Sequence, residues 1–184
     1  MTTFQIRQAV RLMRCGGVIA YPTEAVWGLG CDPHNYQACQ VLLQIKQRPV
    51  EKGMILVAAD MQQLDGLLEP LTAAQRQCLA ASWPGPHTWL VPDPLQSVPW
   101  WVRGDHHSVA VRVSAHPVVK ALCEAFGGPV VSTSANRAGK APATSRVQLE
   151  KAIGRGLDYV LPGKLGGNDK PSTISDLLSG QRIR

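Results

Sequence analysis

The sequence predicts an α/β fold: a single domain over residues 1–184, built as one twisted, mixed sheet with flanking helices. Three observations lead there. Short apolar runs of strand length, such as 54–58 and 108–113, alternate with longer stretches of helical period. These elements alternate without a simple strand–helix–strand repeat. A length of 184 residues suits one domain with a substantial core, and no internal repeat, low-complexity tract or interdomain linker divides it.

The elements follow in order. Residues 3–15 read as an amphipathic helix with Ile6, Val10 and Met13 on one face, ended by Gly16-Gly17. Strands are expected at 17–21, where Pro22 stops the ladder for want of an N–H, and at 26–31. A helix at 35–46 would turn Ala38, Val41, Leu42 and Ile45 inward. Strand 54–58 precedes helices at 61–67 and 72–82, the second opened by a Thr72 cap. Strand 88–91 leads into 92–107, a Pro- and Trp-rich stretch without clean period, read as the ordered rim of a cleft. In strand 108–113, Val109, Val111 and Val113 share one face and Arg112 takes the other. Helix 117–126 carries Pro117 in its first turn. Strand 129–132, a helix at 144–153 and short strands at 157–161 and 172–177 complete the chain.

Composition narrows the function classes. Hydrophobic residues at 45% with 17% charged describe a globular chain. A formal net charge of +6 favours anionic partners such as nucleotides or RNA, or simply solubility. Aromatics are only 5%, too few to suggest a base-stacking platform. The five cysteines (Cys15, Cys31, Cys39, Cys78, Cys123) are scattered, without metal-ligand or disulfide spacing. With no signal peptide pattern and no membrane-length apolar run, a cytoplasmic location and no membrane partner are expected.

Three segments carry chemistry. Lys46-Gln47-Arg48-Pro49-Val50-Glu51-Lys52-Gly53 places three cations on a loop stiffened by proline, just before a buried strand. Such a loop can converge its charges on a polyphosphate, Arg as a fork and Lys as a point charge; a solvated basic loop is the plain alternative. Tyr21-Pro22-Thr23-Glu24 sets Thr23 and Glu24 at a strand end, facing a cleft or merely capping a hairpin. Val130-Val131-Ser132-Thr133-Ser134-Ala135-Asn136 runs an apolar strand into three hydroxyls and an amide. That run suits either an anion-binding nest or a helix cap or turn.

Other chemistries lack their motifs: there is no GxxxxGK[ST], no GxGxxG after a strand, no GxSxG and no HExxH. Ser132 or Ser134 with His116 can be drawn as a nucleophile and base, but sequence supplies no geometry for the pair. No covalent nucleophile is expected. His106-His107 reads as a polar rim pair rather than a metal site.

Taken together, the three segments resemble the YrdC/TsaC family of threonylcarbamoyl-AMP synthases in its short, single-domain form. Further matching pieces are Trp83-Pro84-Gly85-Pro86-His87-Thr88, Val109 to Pro117, and Pro171-Ser172-Thr173-Ile174. The resemblance implies an α/β fold with a wide concave basic surface. It also implies a nucleotidyl transfer in which L-threonine, bicarbonate (or CO2) and ATP yield threonylcarbamoyl-adenylate and pyrophosphate. A downstream tRNA threonylcarbamoyl-transfer complex then uses the product.

Carried over residue by residue, ATP would meet Lys46, Arg48, Lys52, Thr88, Ser134, Asn136 and Arg184 (or Arg182). Threonine would meet Thr23, Arg112, Ser132 and Ser172. Thr88 as a strand residue, Ser172 as a cap and Arg112 in a structural ion pair are the plain alternatives. No carboxylate cluster suggests a protein-held metal, so Mg2+ is expected on phosphate oxygens and water. Two departures stand out. Gly53-Met54 replaces a common Pro-Leu after Lys52, which predicts a more mobile loop, and 55–59 lacks a His that some relatives have. Arg184, as the last residue, is expected to be loosely held. The competing reading is a non-catalytic double-stranded RNA- or tRNA-binding protein in RNA maturation, with salt-dependent, weakly sequence-specific binding.

Overall fold

Thr2 and Gln5 start the first helix by satisfying each other: the Thr2 hydroxyl accepts from the Gln5 N–H, and the Gln5 amide oxygen accepts from the Thr2 N–H. Helix α1 (Thr3–Arg14) then buries Ile6, Ala9, Val10 and Met13. The structure, a computed structural model, describes residues 2–154 and 156–184. After α1 come β1 (Ile19–Pro22), β2 (Trp27–Gly30), α2 (Tyr36–Lys46) and β3 (Ile55–Ala58). The middle of the chain forms α3 (Asp65–Leu68), α4 (Ala73–Ser82), β4 (His87–Pro92), α5 (Trp100–Arg103) and β5 (Ser108–Val113). It ends with α6 (Pro117–Phe126), β6 (Val130–Ser134), α7 (Arg146–Ile153), β7 (Tyr159–Val160) and β8 (Thr173–Asp176).

The strands form one mixed sheet in the order β7-β1-β2-β6-β3-β5-β4-β8. Pairs β1/β7, β3/β5 and β4/β8 are parallel and the others antiparallel. Period-2 alternation sends successive side chains to opposite faces. On one face, Leu29, Leu56, Val111 and Val131 join the larger core with Ala38, Cys39 and Leu42 of α2. On the other, Ile19, Tyr21, Val57 and Val130 pack under α1 and α6. These two helices cover only part of that second face. Along β6, Val130 lies beneath them, while Ser132 and Ser134, on the same side, open onto a cleft. Along β3, Val57 is covered and Ile55 lies in the cleft.

Several expectations are corrected. The hydroxyl run is strand, not turn or nest: Ser132 pairs with Ile55, Thr133 with Leu29 and Ser134 with Gly28. Its N–H groups therefore belong to the ladder region rather than to an anion nest. Pro22 ends β1 from within, paired with Trp27. In α2, Val41 is exposed, and Cys39, Leu43 and Lys46 are buried instead. The helix expected at 61–67 is a 3-10 turn, Gln62–Leu64, followed by the single turn α3. The stretch 92–107 holds α5, and Thr72 caps α4 as expected.

Candidate functional site: a cation-lined cleft

The uncovered part of the sheet face forms a cleft of about 340 Å³. Its floor is made by Gly28 (β2), Ile55 (β3), Ala110 (β5), Ser132 (β6) and Ile174 (β8). Its walls carry Arg48, Lys52, Arg103, Arg112 and Arg184 with His106, and among the described residues no Asp or Glu side chain lines it. Most of these cations come from segments that do not pair in the sheet. The local charge density suits a polyphosphate or a carboxylate.

The loop after α2 is rigidly built. Gln47 ends the helix in the left-handed region, and Pro49 leads into a 3-10 turn, Val50–Lys52. The Arg48 guanidinium folds back on this turn, its Nη2 donating to the Lys52 and Gly53 carbonyls at 3.0 Å each and its Nε to Gly53 at 3.3 Å. Partial burial lowers the Arg48 pKa. Gly53 has φ +59°, and a Cβ there would lie 2.5 Å from the Arg103 carbonyl oxygen. Only glycine fits at this position, and the Met54 N–H donates to the Val102 carbonyl at 2.7 Å.

Lys46 does not reach the cleft. Its buried ammonium donates to the carbonyls of Ser134 and Asn136 and so joins α2 to the turn after β6. Burial, and secondarily the Arg48 charge, lower its pKa to about 8. Asn136 also faces its own turn. Its Oδ1 accepts from the Ser134 hydroxyl at 2.5 Å and its Nδ2 donates to the Arg137 and Lys140 carbonyls. Thr88 lies on the cleft side of β4, paired with Ile174, but is fully buried, its hydroxyl 2.9 Å from that of Ser172, which lines the cleft. Thus Arg48, Lys52, Ser134 and Arg184 of the ATP set line the cleft, and Lys46, Thr88 and Asn136 do not.

All four residues of the threonine set, Thr23, Arg112, Ser132 and Ser172, line the cleft. The Thr23 hydroxyl donates to the Val26 carbonyl at 2.7 Å, closing the β1–β2 hairpin. Arg112 Nη2 lies 3.2 Å from Glu24 Oε2, both side chains buried. Glu24 Oε1 accepts from the Ser114 hydroxyl at 2.6 Å, while Arg112 Nε has no partner. Arg112 is therefore both ion-paired and cleft-facing. Arg184 is not loose: its Nη2 donates to the Ser172 carbonyl at 3.2 Å and its main chain bonds Ile174. Arg182 instead donates to the Arg184 carbonyl.

The Ser–His nucleophile pair is ruled out by geometry. His116 Nδ1 accepts from the Val118 N–H, capping α6, and Nε2 donates to the Lys164 carbonyl at 3.1 Å. Burial lowers its pKa, which suits the neutral ring this arrangement requires. Among the described residues, no group of three His, Cys, Asp or Glu side chains is placed to hold a metal. The five thiols are free. Sequence reasoning missed Arg103 as a cleft cation; its neighbourhood lacks periodicity, and the only available signal was its place in the proposed rim.

Fold and site define an α/β protein whose open sheet face gathers guanidinium and ammonium groups around a cleft. The chain belongs to the Sua5/YciO/YrdC family, whose model, described as telomere recombination, matches residues 11–184. A threonylcarbamoyl-AMP synthase of Marinobacter nauticus is 56% identical over 180 residues, 98% of this chain and 95% of the relative. One of Stenotrophomonas maltophilia is 52% identical over 186 residues, the full length of both. Among solved structures, P. abyssi Sua5 complexed with L-threonine matches with a TM-score of 0.89 at 29% identity. That match covers 97% of this chain and 52% of the other, so this chain spans about half of it. Among the described residues, no helix is long and apolar enough to cross a membrane.

Proposed function

We infer that this chain is a threonylcarbamoyl-AMP synthase, which joins L-threonine, bicarbonate and ATP and releases pyrophosphate. Relatives of that name align end to end with it at 52–56% identity. The observation that carries the reading at the level of chemistry is the cleft itself, where cations and hydroxyls converge without an acidic side chain or a poised nucleophile. The competing reading of a non-catalytic RNA-binding protein is not favoured beside these relatives.

In this reading the reaction needs charge neutralisation and alignment more than covalent help. Bicarbonate, protonated, loses water to give CO2; the free threonine amine adds to its carbon and releases a proton, leaving a carbamate. A carbamate oxygen attacks the α-phosphorus of ATP, the bond from that phosphorus to the bridging oxygen breaks, and pyrophosphate leaves with the electron pair. Lys52, Arg48 and Arg184 neutralise the phosphates from the cleft walls, while Ser134 faces them from β6. Arg112, steadied by Glu24, takes the threonine carboxylate beside Thr23, Ser132 and Ser172. Lys46, Thr88 and Asn136 hold these groups in place. Mg2+ enters with ATP, on phosphate oxygens and water, since the cleft supplies no carboxylate cage. The adenylate then serves tRNA threonylcarbamoylation by a separate transfer complex.

The test is pyrophosphate release by purified protein with ATP, Mg2+, bicarbonate and L-threonine. Release that requires both threonine and bicarbonate supports the reading. ATP binding without such release overturns it.

A further inference from the structure

The cleft's cations are not equally free. Arg48 spends its Nε and Nη2 on the carbonyls of its own loop. Arg112 is paired with Glu24, and Arg184 donates to the Ser172 carbonyl. Arg103, by contrast, lines the cleft with no side-chain hydrogen bond or ion pair at all among the described residues, and its Nε, like that of Arg112, is buried without a partner. A buried donor left unpaired is uncommon and costly, because its water has been removed and nothing replaces it. An anion entering the cleft would supply what is missing.

Arg103 is also coupled to the phosphate-seeking loop. Helix α5 ends at Gly104, with φ +72°, where a Cβ would lie 2.4 Å from the Glu51 carbonyl oxygen. Gly53 makes the reciprocal approach, 2.5 Å from the Arg103 carbonyl. Between these glycines, the Met54 N–H donates to Val102 at 2.7 Å and the Asp105 N–H to Glu51 at 3.0 Å. Two segments distant in sequence are thus locked main chain to main chain, which fixes the Arg103 Cα relative to Lys52.

We propose that Arg103 is a further polyphosphate-binding residue of this site, sharing with Lys52 the phosphates that depart as pyrophosphate. The proposal rests on the synthase reading for the identity of the reaction, but not for the anion. The planar fork offers two parallel N–H donors to phosphate oxygens, and the buried Nε adds direction that a lysine lacks. The gain is greatest as the α–β bridging bond breaks and charge builds on the leaving pyrophosphate, so Arg103 acts on turnover as well as on binding.

The experiment compares wild type with Arg103→Ala, Arg103→Gln and Arg103→Lys, each checked for a native circular dichroism spectrum and melting temperature. Inorganic pyrophosphate and ATP are titrated directly by calorimetry, and threonine-dependent pyrophosphate release gives kcat and KM. Loss of one charge-assisted hydrogen bond predicts pyrophosphate binding weaker by roughly tenfold to a hundredfold in the Ala and Gln variants. The KM for L-threonine should stay unchanged, and Lys should restore binding only in part. Wild-type pyrophosphate affinity in folded Ala and Gln variants overturns the proposal. If wild type releases no pyrophosphate with threonine, the synthase reading fails, while the calorimetric comparison still decides the role of Arg103.

Discussion

Lys46 and Lys52 flank one loop and carry the same charge, yet their surroundings assign them different work. Lys46 is buried against two carbonyls, and Lys52 is exposed at the cleft. Lys46→Met leaves those carbonyls unpaired, so a loss of about 1–3 kcal/mol in denaturant melts is expected, with a fall in pyrophosphate release as the end of β6 at Ser134 loosens. Lys52→Ala should lower pyrophosphate release with little change in stability. The pKa of Lys46 supplies an independent check. Its ordinary value is 10.5 and its folded value about 8, so between those pH values the unfolded chain binds more protons. The contribution of this group to stability therefore rises from pH 8 towards 10.5 and is flat below. Melts at pH 8 and 10 should show a steeper rise for wild type than for Lys46→Met; equal slopes would refute the assignment. Arg112 and Glu24 form the other residue-scale test. Removing Glu24 alone strands a buried cation and should cost about 3–5 kcal/mol, whereas Glu24→Leu with Arg112→Met should recover much of that stability. In the paired variant, threonine-dependent turnover should remain lost, which separates the structural role of Arg112 from its proposed binding role.

At the scale of elements, caps and close approaches decide which segments hold. His116 caps α6 through Nδ1, an acceptor only while the ring is neutral. Burial holds its pKa below 6.5, so the unfolded chain takes up the proton first as pH falls. The associated stability is fully present above pH 6.5 and is lost as pH drops through the folded pKa. His116→Asn keeps a capping acceptor and should flatten this acid limb, while His116→Ala should cost about 1 kcal/mol at neutral pH. The legibility of each element follows from where its information lies. Strand β5 and helix α6 match their expected bounds because Val109, Val111 and Val113 alternate and Pro117 marks a first turn. The hydroxyl run of β6 was misread as a turn because one side of that strand faces a cleft rather than a core. Ser132 and Ser134 therefore break the apolar alternation that identifies strands. The roles of Lys46 and Arg103 were hidden for a different reason. Both depend on contacts between segments remote in sequence, the end of β6 at Ser134 for one and the Gly53–Gly104 lock for the other. The loop motif itself was legible in the sequence; which of its cations turn inward was not.

The whole molecule carries a formal charge of +6, and the cleft gathers several of its cations on one open sheet face. Two helices cover the rest of that face, so the cleft exists only because α1 and α6 stop short of Ser134 and Ile55. This arrangement leaves like charges facing one another, and among the described residues Arg112 alone of them is ion-paired, to Glu24 outside the lining. A polyphosphate that binds the folded state and not the unfolded chain should therefore stabilise the whole domain. At a ligand concentration about a hundred times Kd, the linkage amounts to roughly 2.7 kcal/mol, readable as a rise of several degrees in melting temperature. ATP and inorganic pyrophosphate should raise it at matched concentration, and AMP, with a single phosphate, should raise it less. The ATP effect should shrink as sodium chloride increases from low to near-physiological strength, where the screening length falls to about 8 Å. L-Threonine should add to it if Arg112 and its neighbours form a second subsite beside the phosphates. An ATP shift no larger than that of AMP would place the recognition in the nucleoside rather than in the cationic walls, and the charge-based account of this cleft would fail.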